Sequence, residues 1–350
     1  MTKRVWILGS GFSRPLGGPL LADLFSPRFQ AMVRASFPSI GNSQEASLLY
    51  GFYRFGLGQG QFAHAEDFLV QLDDSALVLP VRRRLSQLYT SFVYQETHKM
   101  DPERTLDEVR EHARRVVAAE CGMHVPDVIG NDERFLTYQD WATGLTGDDS
   151  VVSFNYDLLL ERLIPGPRLN VIGLDAPKPS GFPKLHKMHG SLDWYADDPL
   201  EQLQAVSRTP GATDPPIVGV PGATKYGLSQ SPLFTRIWGS AAAAIREAEE
   251  IYIIGYSMPE SDQYASRWLC EGVRDNTSAH LNIELVLGPP GFATRRLDEV
   301  LSLALGGRTD TRTMTDEYAT LRQFAPNRPK EFAVRTRHMY AQDFLAAWRP

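Results

Sequence analysis

The chain of 350 residues contains only two cysteines, Cys121 and Cys270, and they lie far apart in the sequence. Two thiols give no disulfide framework, because a small secreted scaffold needs several conserved pairs. They are also too few for a structural zinc site with four cysteine ligands. A zinc ribbon therefore cannot be built from this chain alone.

An excess of positive charge is also missing. The sequence has 42 acidic and 36 basic residues, which gives a formal net charge of −6. Such a chain has no overall attraction to a phosphate backbone or to an anionic membrane surface. We therefore expect neither direct nucleic-acid binding nor membrane association.

No long apolar run follows the amino terminus. The run between Arg4 and Gly9 is too short for a signal sequence or a membrane span, so a cytoplasmic location is expected. The apolar fraction of 43% and the charged fraction of 22% are close to globular averages. These values predict a soluble folded protein.

Short apolar segments alternate with helical patterns along much of the chain. Five of them are predicted strands, at Val5–Leu8, Val151–Phe154, Lys184–His189, Ile251–Ile254 and Ile283–Leu287. Strands that are apolar on both faces favour a parallel sheet that is covered by helices on both sides. The expected fold is α/β, a Rossmann-like doubly wound parallel sheet.

The predicted strands also divide the chain into regions. Residues 1–41 and 148–307 form the expected Rossmann-like core, and 308–350 are a C-terminal extension. Residues 42–147 have helical spacing and few strand signals, which predicts a helical insertion. The Pro- and Gly-rich stretch Asp197–Gly227 is expected to be a long loop over one end of the sheet.

A glycine loop follows the first predicted strand and consists of Gly9, Ser10, Gly11, Phe12 and Ser13. Glycines allow a diphosphate to approach the backbone, and amides and hydroxyls supply donors. The third glycine of the dinucleotide fingerprint is missing, because Arg14 takes its position. A tight turn without a ligand is the alternative. A turn followed by a helix is expected within Pro15–Phe25.

Four segments, in this order, resemble the conserved blocks of the sirtuin-like superfamily. They are the glycine loop with Gly18–Pro19, Ser153–Asp157, Met188–Ser191 and Ile254–Ser257. Three segments resemble the prokaryotic sirtuin-like branch more closely, namely Ala65–Leu69, His189–Trp194 and Gly255–Asp262. The resemblance covers about Val5–Leu287 and implies that the expected core binds and cleaves NAD.

The missing zinc ribbon separates this chain from the protein deacylases that it resembles. Without that module there is no obvious groove for an acyl-lysine peptide, so water becomes the favoured acceptor. The resemblance therefore implies an NAD hydrolase that produces nicotinamide and ADP-ribose. It also implies a gated effector of antiviral defence that forms a homo-oligomer, with a HerA-type motor ATPase or an Argonaute protein as candidate partner.

The resemblance assigns roles to residues that follow the predicted strands. Asn155 would hold a ribose hydroxyl or the attacking water, and Asp157 would meet the nicotinamide carboxamide. His189 would be the catalytic base, while Gly255 and Ser257 would contact ribose and phosphate. Ordinary structural roles are the alternatives: helix capping for Asn155 and Asp157, hydrogen bonding for His189, and a turn for Gly255–Pro259.

Two histidines compete for the role of base. If both belonged to one strand, His186 and His189 would face opposite sides, and only His189 leads into the Gly-Ser pair of the pattern. Asp262 is expected either to order the loop that begins at Gly255 or, as the favoured role, to cap the helix Gln263–Val273. Lys225, Tyr226, Trp194 and Trp238 are expected to shape the pocket or to pack.

The expected cleavage of NAD needs a base but no acid and no metal. A histidine with a reference pKa of about 6.5 accepts a proton near neutral pH. The pyridinium leaves as neutral nicotinamide, so neither an acid nor a metal is required. Two other functions stay open: a noncatalytic module that binds NAD or ADP-ribose and regulates a partner, and an NAD-dependent transferase of the ADP-ribosyl or deacylase type.

Overall fold

The chain folds around one large sheet. The computed structural model describes residues 2–76, 78–96, 102–123, 125, 133–164, 168–174, 181–195, 206–207, 217–222, 228–289, 314–315, 318–325 and 328–349. The strands within these ranges are β1 (Arg4–Leu8), β2 (Asp149–Ser153), β3 (Asn170–Val171), β4 (Lys184–Lys187), β5 (Trp194–Tyr195), β6 (Val206–Ser207), β7 (Glu250–Ile254), β8 (His280–Val286), β9 (Met314–Thr315), β10 (Tyr318–Ala325) and β11 (Arg328–Arg337).

The large sheet has nine strands in the order β3-β4-β2-β1-β7-β8-β11-β10-β9. The seven strands from β3 to β11 are parallel, and β10 and β9 extend the edge as antiparallel strands. The predicted α/β class and the parallel sheet are therefore confirmed, and the arrangement is compatible with a Rossmann-like fold. All five predicted strands are present, but β4 ends at Lys187, before His189.

Helices connect these strands. They are α1 (Ser10–Ser13), α2 (Pro27–Ser36), α3 (Pro38–Gly41), α4 (Gln44–Gly58), α5 (Ala65–Asp74), α6 (Leu79–Glu96), α7 (Pro102–Gly122), α8 (Glu133–Thr143), α9 (Leu159–Leu163), α10 (Pro232–Glu247), α11 (Gln263–Arg274) and α12 (Ala341–Ala347). Among the described residues, none of these helices is long and apolar enough to cross a membrane.

Helices cover both faces of the sheet because β1 is apolar on both sides. Val5 and Ile7 pack in a core with α10 and α11. Trp6 and Leu8 point to the opposite face and pack in a second core with α8, α9 and α12. Alternation of side chains along a strand explains this division. The central strands are thus buried on both faces, as expected of parallel sheets.

A third core lies among the helices that the chain forms between β1 and β2. It is built by α4, α5, α6 and α7 around aromatic side chains such as Phe52, Phe68 and Tyr89. Tyr156 and Leu192, which follow β2 and β4, belong to the same core. This helical unit therefore packs over the carboxyl edge of the sheet, whereas α8 covers a sheet face.

The C-terminal region completes the large sheet. Residues Glu331–Arg337 of β11 pair in parallel with β8, and α12 packs against α8. Arg335 and Arg337 each bond Glu284 of β8 at 3.1 Å. Of the predicted loop Asp197–Gly227, only β6 and residues 217–222 belong to the described part of the chain, so Lys225 and Tyr226 lie outside it.

The predicted helix within Pro15–Phe25 is wrong. That segment instead contains two short 3₁₀ turns, Arg14–Leu16 and Leu21–Asp23, and Gly17 adopts a left-handed φ of 94°. A proline has no amide hydrogen, and a left-handed glycine ends a helix. One turn of helix, α1, forms earlier in the glycine loop, and the next α-helix begins at Pro27.

Candidate active site

A cavity of about 460 Å³ runs along the carboxyl edge of the parallel sheet. Its walls come from the segments that follow β1, β2, β4, β7, β8 and β11. The chain first builds the sheet from β1 towards β2 and β4, and then crosses to β7 and β8 on the other side. Ligands of open α/β sheets bind at such a switch point, and the volume suits a small molecule, whose sites span roughly 300–1,000 Å³.

The loops after β1 and β7 meet backbone to backbone at the switch point. A Cβ atom on Gly9 would lie 2.5 Å from the Gly255 carbonyl oxygen, and one on Gly11 would lie 2.6 Å from the Gly255 Cα. The Gly11 amide donates to the Gly255 carbonyl at 3.0 Å. The glycines are therefore required first by the contact between the two loops, whereas the sequence argument attributed them to the approach of a ligand.

The other residues of the glycine loop divide between the cavity and the core. Ser10 and Ser13 line the cavity, and so does Arg14, whose guanidinium forms an ion pair with Asp23. Phe12 is buried instead and packs edge-on against the Tyr138 ring, with ring centroids 4.9 Å apart. The structure thus separates Phe12 from the other predicted ligand-binding residues.

Asn155 and Asp157 follow β2 and line the same cavity. The Asn155 side-chain amide donates to the Gly9 carbonyl at 2.9 Å, so it joins the β2 loop to the glycine loop. The Asp157 carboxylate accepts the Leu159 amide at 3.0 Å, although the N-cap position of α9 is Leu158. Asp157 therefore bonds the first residue of α9 without being its N-cap, and the Asn155 side chain bonds another loop.

His189 lies beside a buried carboxylate. Its Nε2 is 3.2 Å from Asp262 Oδ2, and the same oxygen accepts the Tyr256 hydroxyl at 2.7 Å. His189 and Asp262 are only 6% and 3% exposed. The distance is that of an ion pair when the imidazole is protonated. The arrangement is thus a buried histidine beside a buried carboxylate, which stabilises the ring once it takes up a proton.

The predicted main role of Asp262 is therefore wrong. The Asp262 side chain makes no capping hydrogen bond to α11. Its carboxylate is directed to Tyr256, earlier in the same connection between β7 and α11, and to His189, in the loop after β4. A capping residue and a carboxylate that orients a histidine look alike in sequence, and only the tertiary fold separates the two roles.

His186 has a different environment from His189. It is fully buried in β4, where Nε2 lies 3.0 Å from Ser240 Oγ and Nδ1 lies 3.4 Å from the Val151 carbonyl. Burial lowers the pKa of His186 to about 4. It is therefore a neutral core residue near pH 7, and it does not line the cavity.

A second cavity of about 350 Å³ shares His189, Ser261 and Asp262 with the first. Aromatic side chains line it, including Trp238 and Tyr264, whose ring centroids are 4.7 Å apart. His189 and Asp262 thus form part of the partition between two spaces. Trp194, the other tryptophan considered as a pocket residue, is buried against Phe234.

Ser257 and Glu66 complete the walls of the first cavity. Ser257 is exposed in the loop after β7. Glu66, in α5, accepts a hydrogen bond from Ser261, next to Asp262. The segment Ala65–Leu69 belonged to the resemblance, but no role was attached to Glu66. Its acidic side chain on a predicted helix looked like ordinary helix surface, so sequence reasoning missed this contact.

Among the described residues, no group of three or more His, Cys, Asp or Glu side chains is placed to hold a metal ion.

The chain matches no known protein-family model, and no curated protein matches it significantly. The geometry of the cavity therefore carries the functional argument, beside the resemblance of the four sequence blocks.

Proposed function

We propose that this chain hydrolyses NAD at the bond between nicotinamide and ribose. One observation carries the proposal: His189 and Asn155 follow the neighbouring strands β4 and β2, and they line one cavity with the glycine loop at the switch point. In this proposal nicotinamide lies at the end near Asn155, Asp157 and His189. The diphosphate lies at the loops after β1 and β7, and the adenosine lies towards the loops after β8 and β11.

The proposed reaction breaks the C1′–N bond, and its electron pair leaves with neutral nicotinamide. Water forms the new bond to C1′ and gives its proton to His189, which yields ADP-ribose. Asp262 stabilises the imidazolium that forms, because the two side chains are buried and only 3.2 Å apart. The remaining task is to orient one water below a ribosyl cation, for which preorganised dipoles such as the Asn155 amide are suited.

Asn155→Ala should lower kcat for nicotinamide release by about 100-fold, the scale of loss that follows a misplacement of about 1 Å. It should leave ADP-ribose affinity nearly unchanged, because in this proposal the loops after β1 and β7 hold the diphosphate. Calorimetry and initial rates test both parts. The matched control is Asn276→Ala, which removes a buried amide that bonds the Ile245 and Ala248 carbonyls at 2.7 and 2.9 Å, away from the cavity.

Asn276→Ala should lose stability but keep its turnover per folded molecule. If Asn155→Ala instead lost ADP-ribose binding and thermal stability together, with turnover per folded molecule unchanged, Asn155 would be a structural link between two loops.

The second cavity favours one alternative function. Because it adjoins His189, it offers room for an acceptor other than water, as an ADP-ribosyl transferase requires. Incubation of the chain with NAD, in the presence and absence of methanol, separates the possibilities. Free ADP-ribose in water supports hydrolysis, and methyl ADP-ribose or a labelled protein supports transfer. NAD that stays intact at every oligomeric state of the chain that is tested supports a noncatalytic binding module.

We also propose that the activity is gated, in keeping with the implied role in antiviral defence. Glu66 connects the helical unit to Ser261, so movement of α5 would displace the loop that carries Asp262. A homo-oligomer, or a partner such as a HerA-type motor ATPase or an Argonaute protein, would act through these helices. The NAD assay should therefore cover a range of protein concentrations, with size measured at each. Full turnover by a dilute monomer would contradict the gate.

A further inference from the structure

A fully buried lysine lies behind the nicotinamide end of the cavity. Lys187 is the last residue of β4 and has no exposed surface. Its ammonium donates to the main-chain carbonyl of Asp157 and lies 3.4 Å from Glu161 Oε1 in α9. One lysine thus joins the strand that leads to His189 and the loop that carries Asn155 and Asp157.

Charge at this position needs an explanation. A buried ammonium loses its hydration, and an apolar pair of similar volume is often at least as stable as a buried ion pair. Burial also raises the pKa of the Glu161 carboxyl, although Lys187 opposes that shift. Stability alone therefore does not account for the lysine. Its other effect is geometric, because a bond to the Asp157 carbonyl restrains the backbone at the end of the segment that lines the cavity.

We infer that Lys187 is a positioning residue, which fixes the Asn155–Asp157 loop against β4 so that both side chains face the nicotinamide end of the cavity. This inference rests on the proposed function for its kinetic consequence. Lys187 itself does not line the cavity. Glu161 is its counter-charge, and the pair is separate from the His189 and Asp262 contact.

The test removes the lysine and its counter-charge together, as Lys187→Met with Glu161→Gln, in the full chain. A matched control is Arg4→Met with Asp149→Asn. That pair is joined by bonds of 2.7 and 2.8 Å, and it lies at the opposite end of β1 and β2. Both double variants neutralise an ion pair between a fully buried and a partly exposed side chain, but only the first one releases the loop.

We expect the Lys187 variant to lose about 100-fold in kcat, on the scale of a displacement of about 1 Å, with ADP-ribose affinity retained. Hydrogen exchange of the amides in residues 154–159 should become faster, while exchange in β1 stays as in the wild type. The Arg4 variant should keep both the turnover per folded molecule and the exchange of residues 154–159. If the Lys187 variant does not fold, Lys187→Met with Glu161→Leu supplies an apolar pair for the same measurements.

Wild-type kcat and unchanged exchange in the Lys187 variant would overturn the inference. Equal losses of kcat in both double variants, in proportion to their losses of thermal stability, would overturn it as well. A wild-type chain that cleaves no NAD would contradict the proposed function instead, and the exchange of residues 154–159 would then decide the positioning role by itself.

Discussion

His189→Ala is expected to lower kcat for nicotinamide release by about 10²- to 10⁴-fold, the usual contribution of a general base. Among the described residues, the substitution removes the only histidine that lines the first cavity, and it leaves Asp262 with the Tyr256 hydroxyl as a partner. The fold should persist, since His189 follows β4 and belongs to no strand. Single-turnover measurement of nicotinamide, with circular dichroism on the same sample, checks both statements.

The matched control is His186→Ala, only three residues away. His186 fills the core and contacts Ser240, so its loss should reduce the free energy of unfolding more than the loss of His189. Its kcat per folded molecule should stay close to that of the wild type. Equal losses of kcat at the two positions, or a loss at His186 alone, would show that His189 is not the base.

The sheet could be predicted from sequence because each central strand contains adjacent apolar residues. β1, β2 and β7 are buried on both faces, so their signal does not depend on which neighbour they pair with. β11 gave no such signal. The segment that pairs with β8 includes the charged residues Arg335 and Arg337, which are not typical of a buried strand. Both bond Glu284, and this contact exists only when β8 lies beside β11.

The site was predicted only in part, for a similar reason. Asn155, Asp157 and His189 follow strands, and parallel strands bring their carboxyl ends to one edge. The contact between His189 and Asp262 joins two loops that are distant in sequence, so local patterns do not reveal it. The same holds for Glu66 and Ser261. A residue whose role depends on a partner from another element needs the fold to be recognised.

The glycine loops have a structural requirement that the local sequence does not reveal. Glycine at positions 9 and 11 was explained by the approach of a diphosphate. In the structure, the closest atoms to their missing Cβ positions belong to Gly255 and Tyr256. The Gly11 and Phe12 amides also donate to protein carbonyls, at 3.0 and 2.9 Å. These two amides are therefore used within the loops, and so is the Ser13 hydroxyl, which donates to the Ser10 carbonyl at 3.3 Å. The Ser10 hydroxyl remains a candidate for ligand binding.

Gly255→Ala is expected to have the largest effect on ligand binding, because the added Cβ disrupts the contact between the loops after β1 and β7. Gly255 has a φ of 63°, and an added Cβ would lie 2.4 Å from the Gly11 carbonyl carbon and the Phe12 nitrogen. Backbone atoms cannot move aside as the end of a flexible side chain does. Left-handed strain costs about 1–3 kcal/mol, and overpacking typically adds about 1–3 kcal/mol. The two loops should separate, with a loss of ADP-ribose affinity of more than about tenfold, equivalent to about 1.4 kcal/mol.

Gly60→Ala separates strain from contact in this experiment. Gly60 has a nearly identical φ of 66°, but nothing lies within 4 Å of its added Cβ. It follows α4 and does not line the cavity. In thermal unfolding, Gly60→Ala should therefore lose only the stability that the left-handed backbone strain costs. It should bind ADP-ribose as the wild type does. Equal unfolding losses in both variants, with ADP-ribose affinity kept in Gly255→Ala, would show that the contact between the two loops does not shape the binding site.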